Sequence, residues 1–242
     1  MKSSKSNAFT LVELLTVIAI IAILMGLLFP ALQIAKNQAY KVRAKTDVVN
    51  TVAAVKQYYT EYGKYPLTAV MQQGASTPVD YQFGDARSAP NPPGGTAYSN
   101  NLLYDILRNY PNGNRTEGSL GADGNPRQIV FFEGRNGTAT SATPLSGFAG
   151  TTTGGTGVLG CFYDPWGNQY AVSVDGTYDN WVPVPYQDFA APTTLNLPTL
   201  DDVNVGCAAW SIGKDGVLGS IGSSYYKNPN TGLVSDDVIS WQ

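Results

Sequence analysis

No histidine occurs in the 242 residues, and there are only two cysteines, Cys161 and Cys207. The first absence excludes Ser-His-Asp and Cys-His catalysis, zinc held by imidazole, and haem on a proximal histidine. The second excludes a structural zinc site of three or four thiolates, and an iron–sulfur cluster held by this chain alone. Charge is scarce as well. Asp, Glu, Lys and Arg make up 14% of the chain, against about 25% in ordinary soluble proteins. Glycine and proline are plentiful, at 26 and 15 residues, which predicts long loops. The length suits one domain of ordinary size plus an appendage.

The few charges are unevenly spread. Through Pro66 there are eight Lys/Arg against three acids, a net of +5; from Leu67 onward there are seven against fifteen, a net of −8. A basic start joined to an acidic remainder predicts two parts with different surroundings. The acidic part lacks the clustered Lys/Arg that phosphate neutralisation needs, so no nucleic-acid partner is expected. It is better suited to a hard cation.

The start is short and polar, with Lys2 and Lys5, and is followed by Phe9-Thr10-Leu11-Val12-Glu13-Leu14-Leu15. Residues 14–35 carry no charge, and 14–32 are almost wholly apolar. About 20 helical residues cross a bilayer core, so this stretch is long enough to span. A secretory signal peptide has a shorter apolar core and a small-residue cleavage site behind it; here the core is longer and no clear A-x-A site follows. A plain signal anchor leaves Glu13 unexplained, because a carboxylate inside an apolar run is costly unless something pairs with it. Its natural partner is an α-amino group, which exists near that depth if the chain is cut just before Phe9.

The seven residues Phe9–Leu15 resemble the cleavage and methylation motif of type IV pilins and type II secretion pseudopilins. The resemblance implies that a prepilin peptidase cuts between Ala8 and Phe9 and methylates the new Phe9 amine. Ala8 stands where the family usually has glycine, which predicts slower processing. The resemblance also implies that residues 9–32 hold the subunit in the membrane, then leave lipid and pack in a filament core. There the Glu13 carboxylate of one subunit neutralises the Phe9 ammonium of a neighbour, and such a pair serves register more than net stability. The alternative for Glu13 is a side chain snorkelling to the interface.

Pro30 removes the hydrogen bond to the Gly26 carbonyl, which predicts a kink or a locally melted stretch there; pilins resemble this. The alternative is a simple end of the membrane segment. Beyond Lys36, Val42, Val49, Val52, Val55, Tyr59 and Tyr62 recur at helical intervals, while Lys36, Lys41, Arg43, Lys45, Asp47, Asn50 and Lys56 fall largely elsewhere. This predicts an amphipathic helix packing one face on a domain, stopped by Gly63 and Pro66. The basic residues 36–45 suit either anionic headgroups or a solvated face.

The middle is loop-rich. Residues 101–110 read as a short helix with Leu102, Leu103, Ile106 and Leu107 on one face, and 129–133 as a short strand. Residues 72–99 and the Thr/Gly/Ser-rich 138–157 are expected to decorate the outer surface, along with the short elements between them. Residues 119–124, Ser-Leu-Gly-Ala-Asp-Gly, echo Ser211–Gly216, either as a second cation loop or as a turn of the same Asp-Gly chemistry.

Further on, Asp164-Pro165-Trp166-Gly167-Asn168 is a turn leading into a strand at 169–174, and 207–211 is a second strand. Ile212-Gly213-Lys214-Asp215-Gly216 and Asp236-Asp237-Val238-Ile239-Ser240-Trp241 follow in that order. The three motifs in this order resemble the C-terminal domain of the major pseudopilins of type II secretion. The resemblance implies a calcium ion enclosed by the glycine-rich loop and the terminal acids. By motif, the Ile212 and Val217 carbonyls and the Asp215 side chain match the loop ligands. The remaining ligands come from Ser235, Asp236 and Asp237, with Asp237 aligned to the last family acid. Calcium takes six to eight oxygens of these kinds. The plain alternative is an Asp-Gly turn with solvated acids. Trp166, Trp210 and Trp241 read as packing residues. Cys161 and Cys207 flank the two strands, as a disulfide in an oxidising compartment or as two buried thiols.

The expected fold is α+β: a long N-terminal helix, half of it embedded in membrane, packed on a small antiparallel sheet with long loops. The expected parts are a leader (1–8), a membrane and filament-core helix (9–35), its amphipathic continuation (36–64), a loop-rich variable region (65–160) and a C-terminal sheet region with the calcium loop (161–242). The resemblance implies a structural, non-enzymatic subunit of a type II secretion pseudopilus. It forms a helical homo-oligomeric filament with minor pseudopilins and an inner-membrane assembly platform as partners. It is anchored once in a bacterial inner membrane, with its C-terminal domain in the periplasm. The rivals are a type IV pilin of a surface pilus, a membrane-anchored periplasmic enzyme using paired carboxylates, and a calcium-dependent binding module at a filament tip.

Overall fold

The computed structural model describes residues 10–68, 71, 79–84, 98–109, 124–137, 146–150, 158–186, 201–219 and 225–241. Ala8, Phe9, Asp123 and most of the 119–124 echo lie outside them. The chain divides into two units, Met1–Tyr40 and Lys41–Gln242.

One helix, α1 (Leu11–Tyr62), runs from the apolar segment into the second unit. It ends where the sequence predicts: Gly63 takes φ +66°, a left-handed conformation that glycine adopts without penalty. Gly26 and Pro30 both lie inside α1, which stays helical across them, so no melted stretch is present.

Within the second unit the packing face of α1 follows the predicted stripe only in part: Val55 is in the core and Val52 and Tyr62 pack against it. Ala44, Val48, Thr51, Val55 and Tyr58 are buried, whereas Val42, Val49 and Tyr59 are exposed. The buried set steps by four and three residues, the spacing of one helical face. Its small members let the helix approach closely. The charges beside it are not merely solvated. Lys45 Nζ donates to the Ile239 carbonyl at 2.7 Å. Asp47 Oδ2 accepts from Arg135 Nη1 and from the Tyr170 hydroxyl, each at 2.7 Å.

The sheet against which α1 packs contains β1 (Tyr81–Phe83), β4 (Ala171–Val174), β7 (Cys207–Ser211) and β8 (Val238–Ile239), in that order and wholly antiparallel. Two ribbons flank it: β2 (Gly147–Phe148) with β3 (Phe162–Tyr163), and β5 (Val182–Val184) with β6 (Asp201–Val203). The two-residue period of a strand sorts the side chains. Val172, Val174, Cys207, Ala209 and Val238 join the helix-side core. Ala171, Ala208, Trp210 and Ile239 join a second core with Val182, Val184, Tyr186 and Ile212. Trp166 and Trp241 pack at the margins of these two cores. The predicted strand at 169–174 is shorter, Ala171–Val174, with Gln169 held only by a bridge to Tyr163.

The middle region corrects two expectations. It does not simply decorate the surface: Tyr81, Phe83, Leu103, Tyr104, Ile106, Leu107, Phe132 and Phe148 are core residues. Tyr104 lies on the short helix α2 (Asn101–Arg108) and meets Phe132, Phe148 and Phe162 at ring-centroid distances of 5.1, 5.4 and 5.2 Å. Aromatic pairs at such distances add about 0.5–1.5 kcal/mol each beyond area burial. The chain between the elements is long, but its aromatics fill the space between helix and sheet. The second correction is that no strand forms at 129–133. The amides of Phe131 and Phe132 both donate to the Leu107 carbonyl at the end of α2. Asn125 bonds the Ile106 carbonyl and both backbone groups of Ile129. The polar groups that a ladder would use are already spent on a helix end and a side chain.

Cys161 and Cys207 are buried and not joined in a disulfide, and the Cys161 sulfur lies 3.0 Å from the Ser99 hydroxyl. Burial pushes the Cys207 thiol up to about 12, so it is an inert packing group.

Candidate functional site

Two places carry chemistry, one in each unit. The first is the start of α1. Thr10 accepts from the Glu13 amide on its Oγ1 at 3.2 Å, while Glu13 Oε2 accepts from the Thr10 amide at 2.9 Å and the Thr10 hydroxyl at 2.8 Å. This is a reciprocal capping box, which satisfies amides that a helix start leaves open. It also sets a carboxylate at the positive end of the helix dipole. The Thr-x-x-Glu spacing of Thr10 and Glu13 is the sequence signal for this box. Behind it, the large apolar side chains from Leu11 to Ile34 are all exposed, Leu11 to 80%. An 18-residue window here reaches a mean hydropathy of 2.8 with none of it buried. By length and composition this helix can cross a membrane.

The second place follows β7. Gly213 and Gly216 take φ +68° and +66°, turning the chain sharply on either side of Lys214 and Asp215. A Cβ on Gly213 would lie 2.8 Å from the Asp236 carbonyl oxygen and 2.9 Å from its Cγ. Glycine is therefore needed for the 235–237 segment to come this close. Asp236 Oδ2 accepts from the amides of Lys214 and Asp215 at 2.7 and 3.3 Å. Asp215 Oδ1 accepts from the Val217 amide at 2.9 Å, and Asp237 Oδ2 from the Gly219 amide at 2.7 Å. Carboxylate oxygens of Asp215, Asp236 and Asp237 all lie within 4.8 Å of one another. Asp215 is exposed, Asp236 half-buried and Asp237 buried.

These carboxylates are held at a cost. Burial pushes Asp237 up to about 7, against the pull of the Gly219 amide and of the Tyr186 and Ser235 hydroxyls. Burial and the neighbouring Asp236 charge raise Asp215, while the Val217 amide pulls the other way. Among the described residues, Asp237 Oδ1 is buried without a hydrogen bond of good geometry. A buried carboxylate oxygen in that state, next to two more carboxylates, is what a bound cation would relieve. The donor set is all oxygen, which suits a hard divalent ion.

Of the other residues singled out by sequence, Ile212 is wholly buried and the Val217 side chain is exposed, on either side of the turn that carries Asp215. The Ser235 hydroxyl donates to the Gly219 carbonyl at 2.9 Å and accepts from the Asp237 amide at 3.1 Å. It ties the terminal segment to the end of the loop.

The family match falls on the first of these places. The family described as the prokaryotic N-terminal methylation motif matches residues 3–29. The chain is similar to the type II secretion system core protein G of Pectobacterium carotovorum subsp. carotovorum, 29% identical over 133 residues, which span 50% of this chain and 80% of the relative. It is also similar to the protein of that name from Aeromonas hydrophila, 28% identical over 106 residues, 40% of this chain and 74% of the relative. A third, from Dickeya chrysanthemi, is 28% identical over 102 residues, 39% of this chain and 67% of the relative. No solved structure matches. The long apolar helix behind a prepilin-type motif, continued onto a small antiparallel sheet, defines a pilin-like protein. Within that class, the chain is similar to the major pseudopilins of type II secretion.

Proposed function

We propose that this chain builds a type II secretion pseudopilus, a periplasmic filament whose growth drives folded proteins outward. The observation that carries the reading is the run of apolar side chains on α1, exposed on every side behind the capping box. Such a surface needs lipid or other copies of itself to cover it. The prepilin peptidase cuts between Ala8 and Phe9 and methylates the Phe9 amine. The helix then stays in the inner membrane with the acidic domain in the periplasm. The assembly platform draws it out of lipid into the filament core, beside minor pseudopilins at the tip. There Glu13 neutralises the Phe9 ammonium of a neighbouring copy. The role is structural, with no catalytic step.

The acidic loop is a calcium site in this reading. Asp215, Asp236 and Asp237 hold the ion, helped by the Ile212 and Val217 carbonyls, and Ser235 fastens the segment that carries the last two acids. When bound, the ion offsets the mutual repulsion of the three carboxylates. The support is the buried Asp237 oxygen and the convergence of three acids from two separate parts of the chain.

Deleting the chain from its host tests the filament role. The expected result is that folded export substrates accumulate in the periplasm and that a supplied copy restores their release. Unchanged export, with lost surface motility or adhesion instead, contradicts it.

A further inference from the structure

Behind the acidic loop stands a turn anchored by two buried polar side chains, Asp164 and Asn168. Between β3 and β4, Asp164 Oδ1 accepts from the amides of Trp166 and Asn168, each at 2.9 Å. Asp164 is completely buried, and its Oδ2 accepts from the Ser211 hydroxyl at 2.6 Å. Ser211 Oγ in turn accepts from the Gly213 amide at 3.2 Å. Asn168, 6% exposed, donates from Nδ2 to the Gly213 carbonyl at 2.8 Å. Its Oδ1 lies 3.4 Å from where a Cβ on Gly216 would stand. Both backbone groups of Gly213 are therefore taken by side chains from outside the loop, and the same asparagine lies against the loop's second glycine.

We propose that Asn168 is a positioning residue for the cation, acting through Gly213 with Ser211 and Asp164 behind it. The inference rests on the calcium reading above. Gathering like-charged oxygens costs free energy, and a loop already held in shape meets that cost in folding rather than in binding. Gly213 directly follows Ile212, whose carbonyl is assigned to the ion, and lies two residues before Asp215. Clamping its peptide groups fixes both ligands. Outer partners of this kind commonly govern metal affinity, and a polar network with every member satisfied is rigid.

The test is calorimetric titration of calcium into the full chain in detergent, for the wild type, Asn168→Ala and Ser211→Ala, at a temperature where circular dichroism shows each folded. The expected result is that calcium Kd rises on the order of tenfold or more in both variants, and that the calcium-induced gain in melting temperature shrinks. A merely structural role lowers melting equally with and without calcium and leaves Kd where it was; that result overturns the proposal. Ser211→Ala, the smaller change, decides alone if Asn168→Ala does not fold. No calcium binding by the wild type is a different failure: it removes the calcium reading, and this inference with it.

Discussion

Glu13→Ala leaves the subunit cleaved and inserted in the membrane but unable to assemble. The carboxylate sits at the start of a helix whose next two turns carry only one polar side chain, Thr16. In the free subunit it is held by Thr10 on its own chain, so its removal costs the helix only a solvent-exposed capping interaction. That is too little to expel a run of this hydropathy from lipid. In the filament core the loss is larger. The neighbouring Phe9 ammonium would be buried with no counter-charge, and breaking a buried pair by removing one partner costs about 3–5 kcal/mol. Repeated at every subunit, that penalty stops growth. Cross-linking of membrane-extracted material should give monomers for the variant and ladders for the wild type. Wild-type filament yield from the variant would assign Glu13 to helix capping alone.

Calcium removal is the second large effect. A ligand that binds only the native state stabilises it by about 2.7 kcal/mol when its free concentration is a hundredfold above Kd. For a domain of this size each kcal/mol moves the melting temperature by about 2–4 °C. A soluble chain starting at Lys36 should therefore melt several degrees higher with calcium than with chelator. Without the ion, Asp215, Asp236 and Asp237 repel one another, and the terminal segment carrying β8 loosens. Asp215→Ala should abolish the difference between the two conditions, and Asp123→Ala, in the 119–124 echo, should keep it. Equal melting with and without calcium in the wild type would defeat the site.

The elements the sequence announced are those set by local rules. The apolar run, the Gly63 stop and the Asp-Gly turn after β7 each depend on a few adjacent residues. The acids of the loop and of the terminal segment could be paired because their motifs come in a known order. What sequence hid was tertiary. Ala44 and Thr51 carry no hydrophobic signal, yet they define the packing face of α1, while Val42 and Val49 point to solvent. Phe148 sits among small and polar residues and Phe132 in a run that reads as a strand, and only the folded chain shows that they close the core around Tyr104. Asn168 stands in the sequence as part of a turn motif, but its bond to Gly213 crosses 45 positions, which no spacing rule reaches. The motif aligns Asp237 with the last family acid and leaves Ser235 and Asp236 open. In the structure the Ser235 hydroxyl bonds the Gly219 carbonyl and the Asp237 amide, while Asp237 Oδ2 accepts from the Gly219 amide.

The most direct test of the pseudopilin account is the intact mass and N-terminal peptide of the protein extracted from its native membrane. The account predicts a chain that begins at Phe9, carries a methyl group on its amine and retains the whole apolar helix. A chain that keeps Met1, or one cut beyond Pro30, would contradict it.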